Sequence, residues 1–171
     1  MVYFLRPIPG IRISERRAVV FLESSTEENN IDAHSAYLGF AQDLQRGINK
    51  AFELFVDGVD SNDRRHHGWD KSQSGGRYTC CHVFKHDQTR LYGIKGHSDT
   101  QHPRFEVCAL VECAQKTKND TDESIMKRLV MIAASQEFKR ALTDYGCPHG
   151  GGRNHEGRAA LDRGQSRRLP V

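Results

Sequence analysis

Long apolar runs are absent from this sequence. No stretch approaches the roughly 18 consecutive apolar residues that a membrane-spanning helix requires, and the mean hydropathy is -0.68. The sequence therefore predicts a protein without a membrane partner, and we expect it to reside in the cytoplasm.

The paired cysteine spacing of zinc sites and the regular cysteine framework of small secreted domains are also missing. The five cysteines are an odd number, two of them are adjacent, and no signal-peptide pattern precedes them. We therefore expect reduced thiols rather than a set of disulfides. The five residues are Cys80, Cys81, Cys108, Cys113 and Cys147.

A strong net charge is lacking too, but the charges are unevenly distributed. Lys and Arg number 25 against 22 acidic residues, which gives a formal net charge of +3. Acidic residues outnumber basic ones from Glu15 to Asp60, whereas the segment from Arg64 to His97 is rich in Lys, Arg and His. This second segment is the candidate for contact with a polyanion.

The spacing of apolar residues predicts an α+β domain. Residues 18–22 form an apolar strand, and helical spacing from Asp32 to about residue 57 predicts a helix or a helical hairpin. Three segments rich in aromatic and β-branched residues follow, and then two helices. We expect an antiparallel sheet of about four strands with an N-terminal helix or helical hairpin and with C-terminal helices packed on one side. The three later strands are residues 75–85, 89–95 and 104–113, and the two helices begin near Asp120 and Ser135.

The last of these strands shows alternating apolar residues. One face is expected to hold Phe105, Val107, Ala109, Val111 and Cys113, because successive side chains of a strand point to opposite faces. The other face mixes apolar and charged residues. We therefore expect one face of this strand in the core and the other partly solvated.

A single domain is expected from residue 1 to residue 145. A chain of 171 residues is of the size that builds one core. Proline and glycine interrupt the first positions, so residues 1–17 are expected to form an irregular extension. Residues 146–171 are rich in Gly and Arg, which predicts a disordered tail. Its composition leaves open whether the tail adds RNA affinity or has no role.

Basic side chains and aromatic rings alternate in the middle third of the chain. Phosphates bind to cationic surfaces, and aromatic faces stack on unpaired bases, which is the common mode of binding single-stranded RNA. The pattern therefore predicts RNA binding, with a solvated face and core aromatics as the alternative. The predicted RNA-binding residues are Arg64, Arg65, His66, Trp69, Lys71, Arg77, Lys85, Tyr92 and Lys95.

Residues 35–134 resemble the RelE/HigB-type toxins of bacterial toxin-antitoxin pairs. The resemblance is carried by the segments TRLYGIK and RFEVCALVECAQKTKNDTDESIMKRL, with a long helix before them and a helix after them. It implies an N-terminal strand, a helical pair, an antiparallel sheet and a late helix. It also implies cleavage of mRNA, usually on the ribosome, and a cognate antitoxin as a protein partner.

The resemblance implies roles for individual residues. Arg90 on a middle strand matches the family pattern best, and its planar fork suits a phosphate clamp. Lys116 and Lys118, which follow the last strand, are expected to stabilise charge. His97 or His67 is the candidate for proton transfer. Such cleavage needs no metal and no other cofactor, because the 2′-hydroxyl of the RNA itself attacks the adjacent phosphate.

Three alternatives stay open. A zinc site is disfavoured because adjacent cysteines on a strand point to opposite faces and no C-x-x-C pair is present; its ligands would come from Cys80, Cys81, His82, His86, Cys108 and Cys113. The second alternative is a catalytically inactive module that binds RNA or protein through the same face. The third is a purely structural domain.

Overall fold

The computed structural model describes residues 1–28, 30–60, 64–97, 105–116 and 123–145. Within these residues the chain forms six strands and four helices. The strands are β1 (Tyr3–Pro7), β2 (Arg17–Ser24), β3 (His66–Gly68), β4 (Cys81–His86), β5 (Thr89–His97) and β6 (Glu106–Gln115). The helices are α1 (Ala33–Leu38), α2 (Gln42–Val56), α3 (Glu123–Ala134) and α4 (Gln136–Asp144).

The six strands belong to one mixed sheet. Their order is β1-β2-β6-β5-β4-β3. Strands β2 and β6 run parallel, and every other neighbouring pair is antiparallel. The predicted antiparallel sheet of about four strands is therefore wrong. Sequence periodicity locates strands, but it does not show which distant strands become neighbours.

Helices cover both faces of this sheet, so the fold has three layers. Helices α1 and α2 lie on one face, where Phe52 and Phe55 are buried, and α3 and α4 lie on the other, where Leu129 and Phe138 are buried. The prediction of helices on one side is wrong. The face of β6 expected to be partly solvated carries Leu110, which is completely buried under α1 and α2.

A bulge in β6 changes which side chains share a face. The register between β5 and β6 shifts beside Gly93, and Val111 is the extra residue. Cys113 therefore packs on the α1–α2 side, although simple alternation placed it beside Val111. Asp32 forms hydrogen bonds with backbone groups at this bulge. Its N–H donates to the Val111 carbonyl at 2.9 Å, and its carboxylate accepts from the Cys113 N–H at 2.8 Å.

Two edge strands lie where the sequence predicted no regular structure. Strand β1 falls within residues 1–17, which were expected to be irregular, and it ends at Pro7. Proline is tolerated there because an edge strand needs hydrogen bonds on only one side. Strand β3 has three residues inside a polar loop, so it is too short to show a strand periodicity.

The helix boundaries follow the predicted capping signals in part. The segment after Asp32 forms two helices, α1 and α2. Ser135 is the N-cap of α4, and its hydroxyl oxygen accepts from the Phe138 N–H at 3.2 Å. Among the described residues, none of the helices combines the length and apolar character that crossing a membrane requires. The predicted tail, residues 146–171, lies outside the described residues.

Candidate functional site

The tip of the β4–β5 hairpin gathers several of the predicted cationic side chains. Arg90 of β5 lies directly opposite Lys85 of β4. Residues in this relation share a face of the sheet, and here it is the face that α3 and α4 cover. Lys116 follows β6 beside the same turn, where its backbone N–H donates to the Gln88 carbonyl at 2.7 Å. The hairpin-end cluster consists of Arg65, Lys85, His86, Arg90 and Lys116.

Lys85 and Arg90 form a cross-strand pair of like charge. The guanidinium of Arg90 donates to the carbonyls of Asp87 and Thr89, at 2.7 and 3.0 Å, and so is held at the turn. Among the described residues, neither Arg90 nor Lys116 forms an ion pair with a carboxylate. The hairpin tip is therefore well suited to an anion.

His86 is the histidine of the hairpin-end cluster. Its Nδ1 lies 3.4 Å from Nη1 of Arg65, and its Nε2 lies 3.6 Å from the Asp87 carboxylate. The side chain is 28% exposed, and its ring fills the space where a Cβ on residue 47 of α2 would stand, so Gly47 allows this packing. From the sequence, His86 is a candidate only as a zinc ligand. Its position next to Lys85 in a predicted turn was the signal for a role beside Arg90.

The two histidines predicted for proton transfer lie away from Arg90. His97 is seven residues along β5, about 23 Å at the usual rise of a strand, and it faces the opposite side of the sheet. His67 shares the face of Arg90, but it lies on β3, two strands or about 10 Å from β5. Lys118 lies outside the described residues. Of the predicted catalytic set, the structure brings together Arg90 and Lys116.

The remaining predicted RNA-binding residues do not form one surface. Tyr92 and His66 are buried, so neither ring can stack on a base. Trp69 is half-buried against the α3–α4 core, and its ring centroid is 4.9 Å from that of His67. The exposed members of the set are Arg64, Lys71 and Arg77.

A second group of basic side chains lies beside the C-terminal end of α2. His66 and His82 are 1% and 3% exposed, and Nδ1 of the first lies 3.0 Å from Nε2 of the second. Phe55 packs on both rings, with centroid distances of 5.9 and 5.1 Å. Arg17 lies 4.8 Å from the Phe55 ring centroid and donates to its carbonyl at 3.0 Å. With Lys95, the residues Arg17, His66 and His82 form the inner basic cluster.

Burial keeps the two histidines of this cluster neutral. Burial, reinforced by the charge of Arg17, lowers the pKa of His66 to about 4. Burial, reinforced by the charge of Lys95, lowers the pKa of His82 to about 2. An imidazolium at either position would lose hydration and would lie close to other cations.

These two histidines make the unfolding free energy depend on pH. Both titrate near 6.5 in the unfolded chain and only at lower pH in the folded protein. The contribution of the two neutral histidines to the free energy of unfolding is therefore fully present above pH 6.5. It is lost as the pH falls toward 4, because the unfolded state binds more protons in that range. We expect each histidine to lower the free energy of unfolding by up to about 1.4 kcal/mol for each unit that the pH falls in this range.

Urea unfolding between pH 7 and pH 4 measures this dependence. The double variant His66→Phe/His82→Phe removes both partners of the histidine pair and should flatten the pH profile relative to the wild type. Removing both partners together avoids leaving one buried ring nitrogen without its hydrogen bond. Identical pH profiles for the wild type and the double variant would contradict the assignment of this pH dependence to His66 and His82.

An open cleft of about 680 Å³ adjoins Arg17. Its wall also includes Arg12 and Arg16, but Arg12 forms an ion pair with Asp57, and Nε of Arg17 lies 3.9 Å from the Glu106 carboxylate. Two of its three arginines therefore already have acidic partners. For this reason the cleft is a weaker candidate for a polyanion than the hairpin-end cluster.

The zinc alternative has no geometric support in the described part of the chain. No three His, Cys, Asp or Glu side chains converge there on a position that could hold a metal ion. Cys81 faces the α3–α4 core and Cys108 faces the α1–α2 core, so the sheet separates them. Burial raises the pKa of both the Cys108 thiol and the Cys113 thiol, the latter to about 11, which suits packed core residues.

The fold and the two basic clusters define a three-layer domain whose mixed sheet carries a cationic hairpin tip. No family model, curated protein or solved structure matches this chain. Its function therefore has to be inferred from the geometry of these clusters and from the resemblance in sequence.

Proposed function

We propose that this protein is a toxin-type endoribonuclease that cleaves mRNA without a metal ion, and that the phosphodiester binds at the hairpin-end cluster. The observation that carries the proposal is the arrangement of Lys85, Arg90 and Lys116 around one hairpin tip. A phosphate bound at the tip is attracted by the Arg90 guanidinium and by the Lys116 ammonium. RNA offers such groups at regular spacing.

Four of the five residues of the cluster have a chemical role in the proposed reaction. Arg90 grips phosphate oxygens with its planar guanidinium, and Lys85 and Lys116 stabilise the charge that develops in the transition state. His86 moves a proton to or from the 2′-hydroxyl or the leaving oxygen. We prefer His86 to His97 for its place at the hairpin end: its ring packs on the α1–α2 face against Gly47, whereas Arg90 lies on the α3–α4 face, so His86 reaches the phosphate only around the end of the hairpin.

The order of elements along the chain also supports the proposal. Strand β2, helices α1 and α2, strands β4 to β6 and helix α3 follow one another in this order. The resemblance to RelE/HigB-type toxins implies the same succession of strand, helical pair, sheet and late helix, but with an antiparallel sheet, whereas here β2 and β6 run parallel. Strands β1 and β3 and helix α4 are additions to it. From the same resemblance we propose a cytoplasmic location, a ribosome context and an antitoxin that covers the hairpin tip.

Inducible expression, followed by mapping of mRNA ends, tests the activity. Expression of the chain alone should arrest growth and produce new mRNA ends. Coexpression of the neighbouring small open reading frame, if it encodes the antitoxin, should restore growth. Unchanged growth and unchanged mRNA ends, with the folded protein present in the cells, would contradict the nuclease proposal.

The second candidate is an RNA-binding module without cleavage activity. The packing of His86 against Gly47 and its contact with Arg65 favour it, because a ring held in this way has a structural role even without chemistry. Gel shifts with single-stranded RNA at increasing salt separate the outcomes. Salt-sensitive binding of uncut RNA identifies the module, whereas shortened RNA identifies the nuclease.

A further inference from the structure

Two consecutive cysteines lie where β4 begins. Only Cys81 belongs to the strand, and Cys80 lies in the turn before it. In this turn the Cys81 N–H donates to the Tyr78 carbonyl at 2.9 Å. The alternation that places neighbouring side chains of a strand on opposite faces therefore does not separate this pair. Both side chains pack against the core on the α3–α4 side of the sheet.

The two cysteines differ in their exposure to solvent. Cys81 is completely buried, and its Sγ lies 3.9 Å from the Met126 carbonyl oxygen of α3. Cys80 is only half-buried, and it follows Thr79, which is exposed. A small reagent from solvent therefore meets Cys80 first.

The surroundings of the two sulfur atoms give them different roles. The Cys81 thiol donates a hydrogen bond to the Cys80 sulfur, and this bond, helped by the charge of Lys95 and opposed by burial, lowers the pKa of the Cys80 thiol. The same hydrogen bond, reinforced by burial, raises the pKa of the Cys81 thiol. Because the thiolate is the nucleophilic form, Cys80 is the reactive sulfur of the pair, and Cys81 keeps its proton.

A disulfide between consecutive residues differs from a structural disulfide. Their Cα atoms are about 3.8 Å apart across a trans peptide bond, whereas most disulfides join Cα atoms that are about 4.4–6.8 Å apart. A bond between Cys80 and Cys81 is therefore strained, and strained disulfides are readily reduced. Such a bond suits a reversible change better than permanent stabilisation of the fold.

We propose that Cys80 and Cys81 are a site of reversible oxidation, at which hydrogen peroxide converts the two thiols into a disulfide. The Cys80 thiolate attacks one peroxide oxygen and the O–O bond breaks, which gives a sulfenic acid on Cys80 and a hydroxide ion that takes up the proton released by Cys80. The Cys81 sulfur then attacks the Cys80 sulfur, and its proton leaves with the sulfenic hydroxyl as water. The two sulfur atoms lose two electrons in total, and the peroxide is reduced to two molecules of water. A dithiol reductant reverses the change by thiol–disulfide exchange.

This cysteine pair is separate from the hairpin-end cluster. Cys81 lies four residues from Lys85 along β4, about 13 Å at the usual rise of a strand. The pair also needs no bound ligand, because both reacting sulfur atoms belong to the chain. The proposal therefore does not depend on ribonuclease activity.

Peptide mapping of the full chain after treatment with hydrogen peroxide at pH 7 tests the site. Alkylation of the remaining thiols and digestion with trypsin release residues 78–85 as one peptide that carries both cysteines. After oxidation, this peptide should be lighter than the reduced peptide by two hydrogen atoms and should take up no alkylating reagent. Dithiothreitol added before alkylation should restore both thiols. Peptide 105–116, which carries Cys108 and Cys113, should stay reduced at the same peroxide concentration, because burial raises the pKa of both its thiols.

Three variants complete the experiment. Cys80→Ser should leave Cys81 reduced, whereas Cys81→Ser should stop the reaction at a sulfenic acid on Cys80, which dimedone traps. Cys113→Ser, on the α1–α2 side, keeps the pair and should form the disulfide as the wild type does. If Cys81→Ser fails to fold by circular dichroism, the wild type and Cys80→Ser decide. Oxidation of peptide 78–85 no faster than that of peptide 105–116, or a disulfide from either cysteine to another peptide, would overturn the proposal.

Discussion

Arg90→Ala is expected to lower the rate of RNA cleavage by about 10²- to 10³-fold, which is the usual effect of removing one donor that stabilises transition-state charge. RNA affinity should fall as well, and the slope of log affinity against log salt should decrease by about one. Within the described residues, the Arg90 side chain bonds only to carbonyls of its own turn. The fold should therefore survive. Single-turnover cleavage and fluorescence anisotropy at several salt concentrations measure the two effects.

Two control variants make this prediction specific. Arg90→Lys keeps the charge but loses the planar fork, so it should retain much of the affinity and only part of the rate. Arg140→Ala removes the same charge from an exposed position of α4 and should behave as the wild type does. Normal cleavage by Arg90→Ala would exclude the hairpin-end cluster from the reaction, whatever the behaviour of the controls.

Phe55→Ala is expected to lower the free energy of unfolding by about 3–5 kcal/mol, the range for removing a fully buried aromatic ring. Phe55 contacts the rings of His66, His82 and Phe84, with centroid distances of 5.9, 5.1 and 5.6 Å. Its loss leaves a cavity beside two polar rings. Urea denaturation at pH 7 measures the loss of stability.

Phe4→Ala is the matched control, because Phe4 lies on the edge strand β1 and is 52% exposed. It should cost less than about 1 kcal/mol. In Phe55→Ala the pKa of His82 should also rise toward its ordinary value, since water can enter the cavity and hydrate the ring. NMR titration of the histidines measures this shift. A stability loss no larger than that of Phe4→Ala would contradict the packing role assigned to Phe55.

Much of the local structure followed from the sequence. Strands β4, β5 and β6 were predicted near their observed positions, and Ser135 was correctly expected to begin the last helix. The errors arose where local pattern and long-range contacts differ. Alternation places Cys113 on the wrong face, because nothing in it signals the bulge at Val111. Asp32, the residue before α1, forms hydrogen bonds with the backbone at this bulge.

The candidate site was predictable only in part. Arg90 and Lys116 were selected together, and both lie beside the β4–β5 turn. His97 is close in sequence to Arg90, yet a strand extends about 3.3 Å per residue, and seven residues carry His97 to the other end of β5. Lys95 was selected as an RNA contact, whereas the structure places it beside the buried His82.

By itself, the sequence determined where most strands and helices form and that basic charge is concentrated between Arg64 and His97. Hydrophobic spacing and composition are properties of neighbouring residues, so they can be read without the fold. Only the tertiary structure decided that β2 pairs with β6, that helices cover both faces, and that Cys80 and Cys81 both pack on the α3–α4 side. Those relations depend on contacts between residues far apart in the chain, which local periodicity does not encode.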